Sequence, residues 1–147
     1  MPTKPFVVTP DNYARSLDVV GEKITVLASK DATQGYEIFL QDGAEGSGPP
    51  PHSHDWDETF YVVKGRIEIT YANTTISATP GTLVHVPAGT VHCFRFGAGG
   101  GQMISVTSHN GHASELFADI DKESQAGPPD LAKLAEIAHR NSVNIGN

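Results

Sequence analysis

The chain has 147 residues, the size of one domain, with ten Lys/Arg against seventeen Asp/Glu and a net charge of −7. That balance argues against a nucleic-acid partner and an anionic membrane surface, both of which want clustered positive charge. A hydrophobic fraction of 38% sets it apart from a disordered polyelectrolyte, and no apolar run nears the roughly 18 residues that a spanning helix needs. The single cysteine, Cys93, excludes an internal disulfide framework and a Cys-rich zinc finger. Fifteen Gly and ten Pro suit a turn-rich β protein better than a helical bundle. The opening stretch, Met1-Pro2-Thr3-Lys4-Pro5-Phe6, does not read as a signal peptide, so a cytoplasmic protein is expected.

Most of the chain alternates apolar and polar residues in short runs bounded by turn residues, which predicts strands. The first runs are 23–27 and 36–41, separated by a Thr33-Gln34-Gly35 turn. A Gly/Pro stretch covers 43–51, and further strands are predicted at 58–63, 66–71, 74–78, 82–86, 91–96 and 102–107. Eight or more strands at this spacing make an all-β sandwich or closed barrel. The run Gly97-Ala98-Gly99-Gly100-Gly101 lacks the Gly-Lys-Ser/Thr of a phosphate loop and reads as a hairpin connection.

The tail differs. Ser114 is placed to cap a short helix, and Asp130, after Gly127-Pro128-Pro129, to cap another in which Leu131, Leu134, Ala135 and Ala138 form one apolar stripe. The single domain thus divides into N-terminal strands and arm (1–34), a barrel core (35–113) and a helical tail (114–147).

His52-Ser53-His54 is the most informative spot. In an extended chain, residues two apart face the same way, so both imidazoles converge, and Glu58 keeps that parity if the strand continues. His92 follows the tight turn Pro87-Ala88-Gly89 into another strand. Three imidazoles and one carboxylate make a set that suits a divalent first-row metal.

The intervals around these residues resemble a known family. Gly46, five residues, His52-x-His54, three residues, Glu58, six residues and Gly65 match the first cupin motif at every fixed position. Gly81, five residues, Pro87-x-Gly89, two residues and His92 match the second. The departure is Phe96, where the second motif usually has Asn, a position that bears on packing rather than on the metal. The resemblance implies a conical, jelly-roll-like antiparallel β-barrel with short C-terminal helices. It also implies one divalent ion per chain (Fe, Mn, Ni or Co, with Zn accepted) on His52, His54, Glu58 and His92, and a homodimer. The flanking strands and tail are loosely similar to the quercetin-dioxygenase-like cupins. That likeness implies a dioxygenase acting on a small enol or flavonol-like substrate, with Glu58 as ligand and base. A cyclase, isomerase or lyase that uses no oxygen, or a cupin that only binds a small molecule, stays open as an alternative.

Parity adds candidate pocket residues. Phe94 and Phe96 share the face of His92, Phe60 shares that of Glu58, and Tyr36, Ile38 and Leu40 are read as the inward set of the earlier strand. With no inward Arg or Lys to clamp an anion, these walls predict a largely apolar substrate with hydroxyl or keto oxygens. His85 is read as a packed core histidine, or as a residue supporting the ligands from behind. His109 and His112 are read as solvated loop residues, and Cys93 as an inert thiol on the far face of its strand.

Overall fold

The computed structural model describes residues 3–146. An extended arm with a 3-10 turn at Pro10–Asn12 leads into β1 (Leu17–Val19), β2 (Glu22–Ala28), the short helix α1 (Lys30–Thr33) and β3 (Tyr36–Gly43). Then come β4 (His52–Ser53), β5 (Glu58–Tyr71), β6 (Thr74–Ala78), β7 (Leu83–Val86) and β8 (His92–Ser108). The chain ends in α2 (Ala113–Gln125), α3 (Leu131–Arg140) and β9 (Asn144–Ile145). All strand pairs are antiparallel, in one nine-stranded sheet curled into a half-barrel.

The predicted strands at 58–63 and 66–71 are one 14-residue strand, and those at 91–96 and 102–107 are one 17-residue strand. The glycine run 97–101 is therefore not a hairpin connection. It lies inside β8, where the ladder with β5 is bulged on either side of Gly65. A tight crossing explains the glycines. Gly65 has φ +76°, and a Cβ there would lie 2.3 Å from the Gly100 carbonyl oxygen. Gly100 has φ +77°, and its Cβ would lie 2.5 Å from the Gly43 carbonyl. Phe96 fits this corner because Gly43 offers no side chain: a Cβ at Gly43 would lie 2.1 Å from the Phe96 ring.

Two larger apolar clusters, with a smaller one around Trp56, hold the fold. Between the two halves of β5 and β8 lie Phe60, Val62, Ile67, Ile69, Phe94, Phe96 and Met103. The second cluster joins Val19, Ile24 and Phe39 to Ala113 and Ile120 of α2 and Ile137 of α3. Phe117 meets Phe39 edge-on at 5.1 Å. Asp130 caps α3 as expected, accepting from the Lys133 amide at 2.7 Å. The cap of α2 is His112 rather than Ser114. Ser114 is the second residue of the helix, where its amide donates to the buried Glu37 carboxylate. The stripe of α3 is also displaced: Ile137 and Ala138 are buried, whereas Leu131 is 85% exposed and Ala135 is exposed. No helix among the described residues is long and apolar enough to cross a membrane.

Candidate metal centre

Four side chains from three stretches of chain meet on the inner face. His52 starts β4, His54 follows it, Glu58 opens β5 and His92 opens β8. All four are buried, and one ligand atom from each lies within 4.8 Å of all the others. His52 and His92 are directly paired across the β4–β8 ladder. Glu58 Oε1 lies 3.2 Å from Nε2 of both His54 and His92.

The opposite nitrogen of each ring explains why these atoms need a cation. Nδ1 of His52 donates to the Pro50 carbonyl at 2.9 Å, Nδ1 of His54 to that of Trp56 at 3.0 Å, and Nδ1 of His92 to that of Thr90 at 2.8 Å. A carbonyl only accepts, so each Nδ1 carries its proton, and in a neutral ring Nε2 is left with a lone pair. Three lone pairs and a carboxylate converging in a buried space repel one another unless a positive charge sits among them. This donor set therefore fits one divalent ion, and the carbonyls orient the rings for it.

Electrostatics agree. Burial, reinforced by the neighbouring His92, pushes His52 down to about 4, so its ring is neutral and free to coordinate. Burial opposes ionisation of Glu58, but hydrogen bonding and charge from His54 and His92 outweigh it and hold the carboxyl well below the usual range. Burial lowers His92, yet the Glu58 carboxylate more than reverses this.

Of the predicted wall residues, Phe60, Phe94 and Phe96 do lie on the inner face, with Phe60 6.4 Å from His92 and 5.5 Å from Phe94 between ring centres. The reading of β3 is off by one. Glu37, Phe39 and Gln41 are buried opposite Thr107, Ser105 and Met103, while Tyr36, Ile38 and Leu40 lie on the outer face. Tyr36 and Ile38 instead line a surface groove with Phe6, Val8 and Tyr13 of the arm. Apolar character misled because the outer face of this strand also carries apolar side chains, which line the groove beside the arm rather than the interior. His85 is neither core nor support for a ligand. It is exposed, with Nδ1 2.9 Å from Thr59 Oγ1. Trp56 is 2% exposed and stacks on His54 at 4.1 Å, with the rings 8° from parallel.

The inner wall also carries polar groups that sequence reading missed. Gln41 donates to Glu22 Oε1 at 2.8 Å and accepts from Ser105 Oγ at 2.6 Å, all three being buried. Burial, helped by the charge of Glu58 and opposed by the Gln41 hydrogen bond, pushes Glu22 up to about 7. Thr107, directly across the ladder from Glu58, has a buried hydroxyl with no protein partner. No Lys or Arg is buried among the described residues, as expected. The one available signal was strand parity: Glu22, Gln41, Ser105 and Thr107 each stand where their strand turns inward, but the turns alone did not give the register.

Residues 39–107 match the family described as the cupin domain. Among curated proteins, quercetin 2,3-dioxygenase of Bacillus subtilis is 30% identical over 82 residues, which is 55% of this chain and 24% of that protein. An uncharacterized protein of Streptomyces coelicolor is 35% identical over 57 residues, or 39% of this chain and 52% of that one. The chain thus spans between a quarter and about half the length of the curated relatives it matches. The solved structure of KdgF from Halomonas sp. has the same fold, with a TM-score of 0.64 at 22% identity, over 74% of this chain and 96% of that one. Both motifs and the buried His52-His54-Glu58-His92 group fall within the stretch that matches the cupin domain, and the curled antiparallel sheet around them has the fold of that solved structure.

Proposed function

We propose that the protein is a mononuclear metal-dependent cupin enzyme, a dioxygenase of the quercetinase type acting on a small hydroxy or keto substrate. The observation that carries this reading is the complete, buried and orientationally fixed His52-His54-Glu58-His92 set. It is supported by partial similarity to quercetin 2,3-dioxygenase. A divalent ion held by these residues would supply Lewis acidity and a meeting point for substrate oxygens.

The chain's own residues do the rest. Glu58 stays ionised and takes the substrate's hydroxyl proton on Oε2, the oxygen that the two histidines leave free. The three carbonyl bonds keep the imidazoles from turning away as charge develops. Phe60, Phe94 and Phe96 keep bulk water from the reacting atoms. Ser105, Gln41 and Thr107 add polar groups to the wall next to Glu58 and Phe60, so the substrate is less apolar than the aromatic residues alone suggest.

A second reading is favoured by Glu22. A buried carboxyl that keeps its proton near neutrality, on the same inner wall as an ionised one whose charge it feels, supplies an acid and a base that suit cyclisation, isomerisation or elimination without oxygen. An oxygen electrode separates the two. Protein loaded in turn with Fe, Mn, Ni or Co is expected to consume dioxygen as the enol absorbance of a flavonol probe falls, and Glu58→Gln to abolish both. Turnover of an enol or keto substrate that survives without oxygen, or with zinc, selects the second reading.

We further propose a homodimer. The exposed apolar side chains of Phe6 and Val8 on the arm and of Tyr36 on the neighbouring β3 support it. Sedimentation is expected to give about twice the 15.6 kDa chain mass, and the mass of a single chain contradicts it.

A further inference from the structure

The ligand strand β4 is only two residues long. It touches β8 through the single pair His52–His92, and the rest of its ladder comes from the chain's last strand, where His52 faces Ile145 and Ser53 faces Asn144. The Gly146 amide adds a bond to the Pro51 carbonyl at 2.7 Å. A strand this short has almost no pairing of its own to hold a ligand in register.

The same tail reaches the second ligand by another route. Trp56 lies flat against His54, and its carbonyl fixes His54 Nδ1. Trp56 is packed in turn against Ala138 of α3, Val143 just before β9, and Leu116 of α2. Asn141, at the end of α3, ties that helix to α2 by donating to Asp119 at 2.9 Å. Both ligands of the His-x-His pair are therefore braced by residues 138–146, far from them in sequence.

We propose that the C-terminal tail is a positioning element of the metal centre: docking of β9 and the Trp56 contact set the geometry of His52 and His54, and an ion bound there tightens the tail in return. The proposal builds on the reading of the four residues as a metal site. Linkage requires the two effects to match, so a tenfold gain in affinity from docking appears as a tenfold stabilisation of the docked tail by the ion.

The test uses the full chain, a truncation after Val143 and Gly146→Pro, with Co2+ alone as probe. The truncation removes no buried side chain among residues 144–146. Gly146→Pro removes one amide donor, at a residue whose φ of +106° proline cannot adopt. Both variants are expected to keep the circular dichroism of the parent. They should bind Co2+ at least about tenfold more weakly, with an altered visible absorption band, and Co2+ should slow hydrogen exchange of the Gly146 amide in the parent. Equal affinity and an unchanged band in both variants would overturn the proposal. If the parent takes up no Co2+, the metal reading fails on its own, and the metal-free proteins still decide the tail's role. Truncation is then expected to shift the ring-nitrogen resonances of His52 and His54, and unchanged resonances overturn it.

Discussion

Three backbone carbonyls, those of Pro50, Trp56 and Thr90, decide the protonation of three imidazoles and so the character of the site. The sequence shows the imidazoles but not the carbonyls, because a ring's partner depends on how the chain turns beside it. The motif intervals were enough to name His52, His54, Glu58 and His92. They were not enough to find Glu22, whose nearest motif residue is 24 positions away and whose partner Gln41 comes from the neighbouring strand. Glu22 gives a pH prediction. Below about pH 4.5 its carboxyl is protonated whether the chain is folded or not. As pH rises from there through about 7, the folded protein holds a proton that the unfolded chain has released, so stability falls. Glu22→Gln removes this dependence. Urea unfolding of chelator-treated protein is expected to show the variant gaining up to about 3 kcal/mol on the parent at pH 8 and almost nothing near pH 4. A constant difference across that range would contradict it. Glu58→Gln is expected to weaken metal binding by more than the roughly 10–100-fold that loss of an outer hydrogen-bond partner costs, measured by competition with a chelator.

Among the elements, alternation placed most of the β-strands, because a half-buried strand writes its two faces into the sequence as period two. That signal misleads where the outer face carries the more apolar set: in β3 Tyr36, Ile38 and Leu40 suggest the inward face, yet Glu37, Phe39 and Gln41 are the buried ones. The run 97–101 failed differently. Glycine marks a turn and a close approach of two backbones equally well, and only the pairing of β8 with β3 and β5 distinguishes them. Gly100→Val tests the crossing, since it puts a branched side chain at φ +77°, against the Gly43 carbonyl. Chemical denaturation is expected to show a loss of about 2–4 kcal/mol. A variant as stable as the parent would mean that the strands do not approach so closely. Phe39→Ala, which empties the contact with Phe117 and the face of α2, is expected to cost about 3–5 kcal/mol.

Over the whole molecule, the half-barrel supplies a concave surface and the tail closes one side of it, through Ile120 and Ile137 over Phe39 and through Val143 beneath Trp56. The cupin resemblance gave the architecture and the ligand set, but the tail's place beside β4 belongs to this chain's own packing. Four groups that repel one another when empty of charge are brought together by three stretches of backbone, a costly arrangement unless a cation is bound there. Elemental analysis of protein purified without added metal or chelator, beside His52→Ala prepared in parallel, tests this most directly. About one divalent ion per chain is expected in the parent, and less than about a tenth of that in the variant. A parent that carries no metal and takes up none from Mn, Fe, Co, Ni or Zn solutions would show that the four side chains do not form a metal centre.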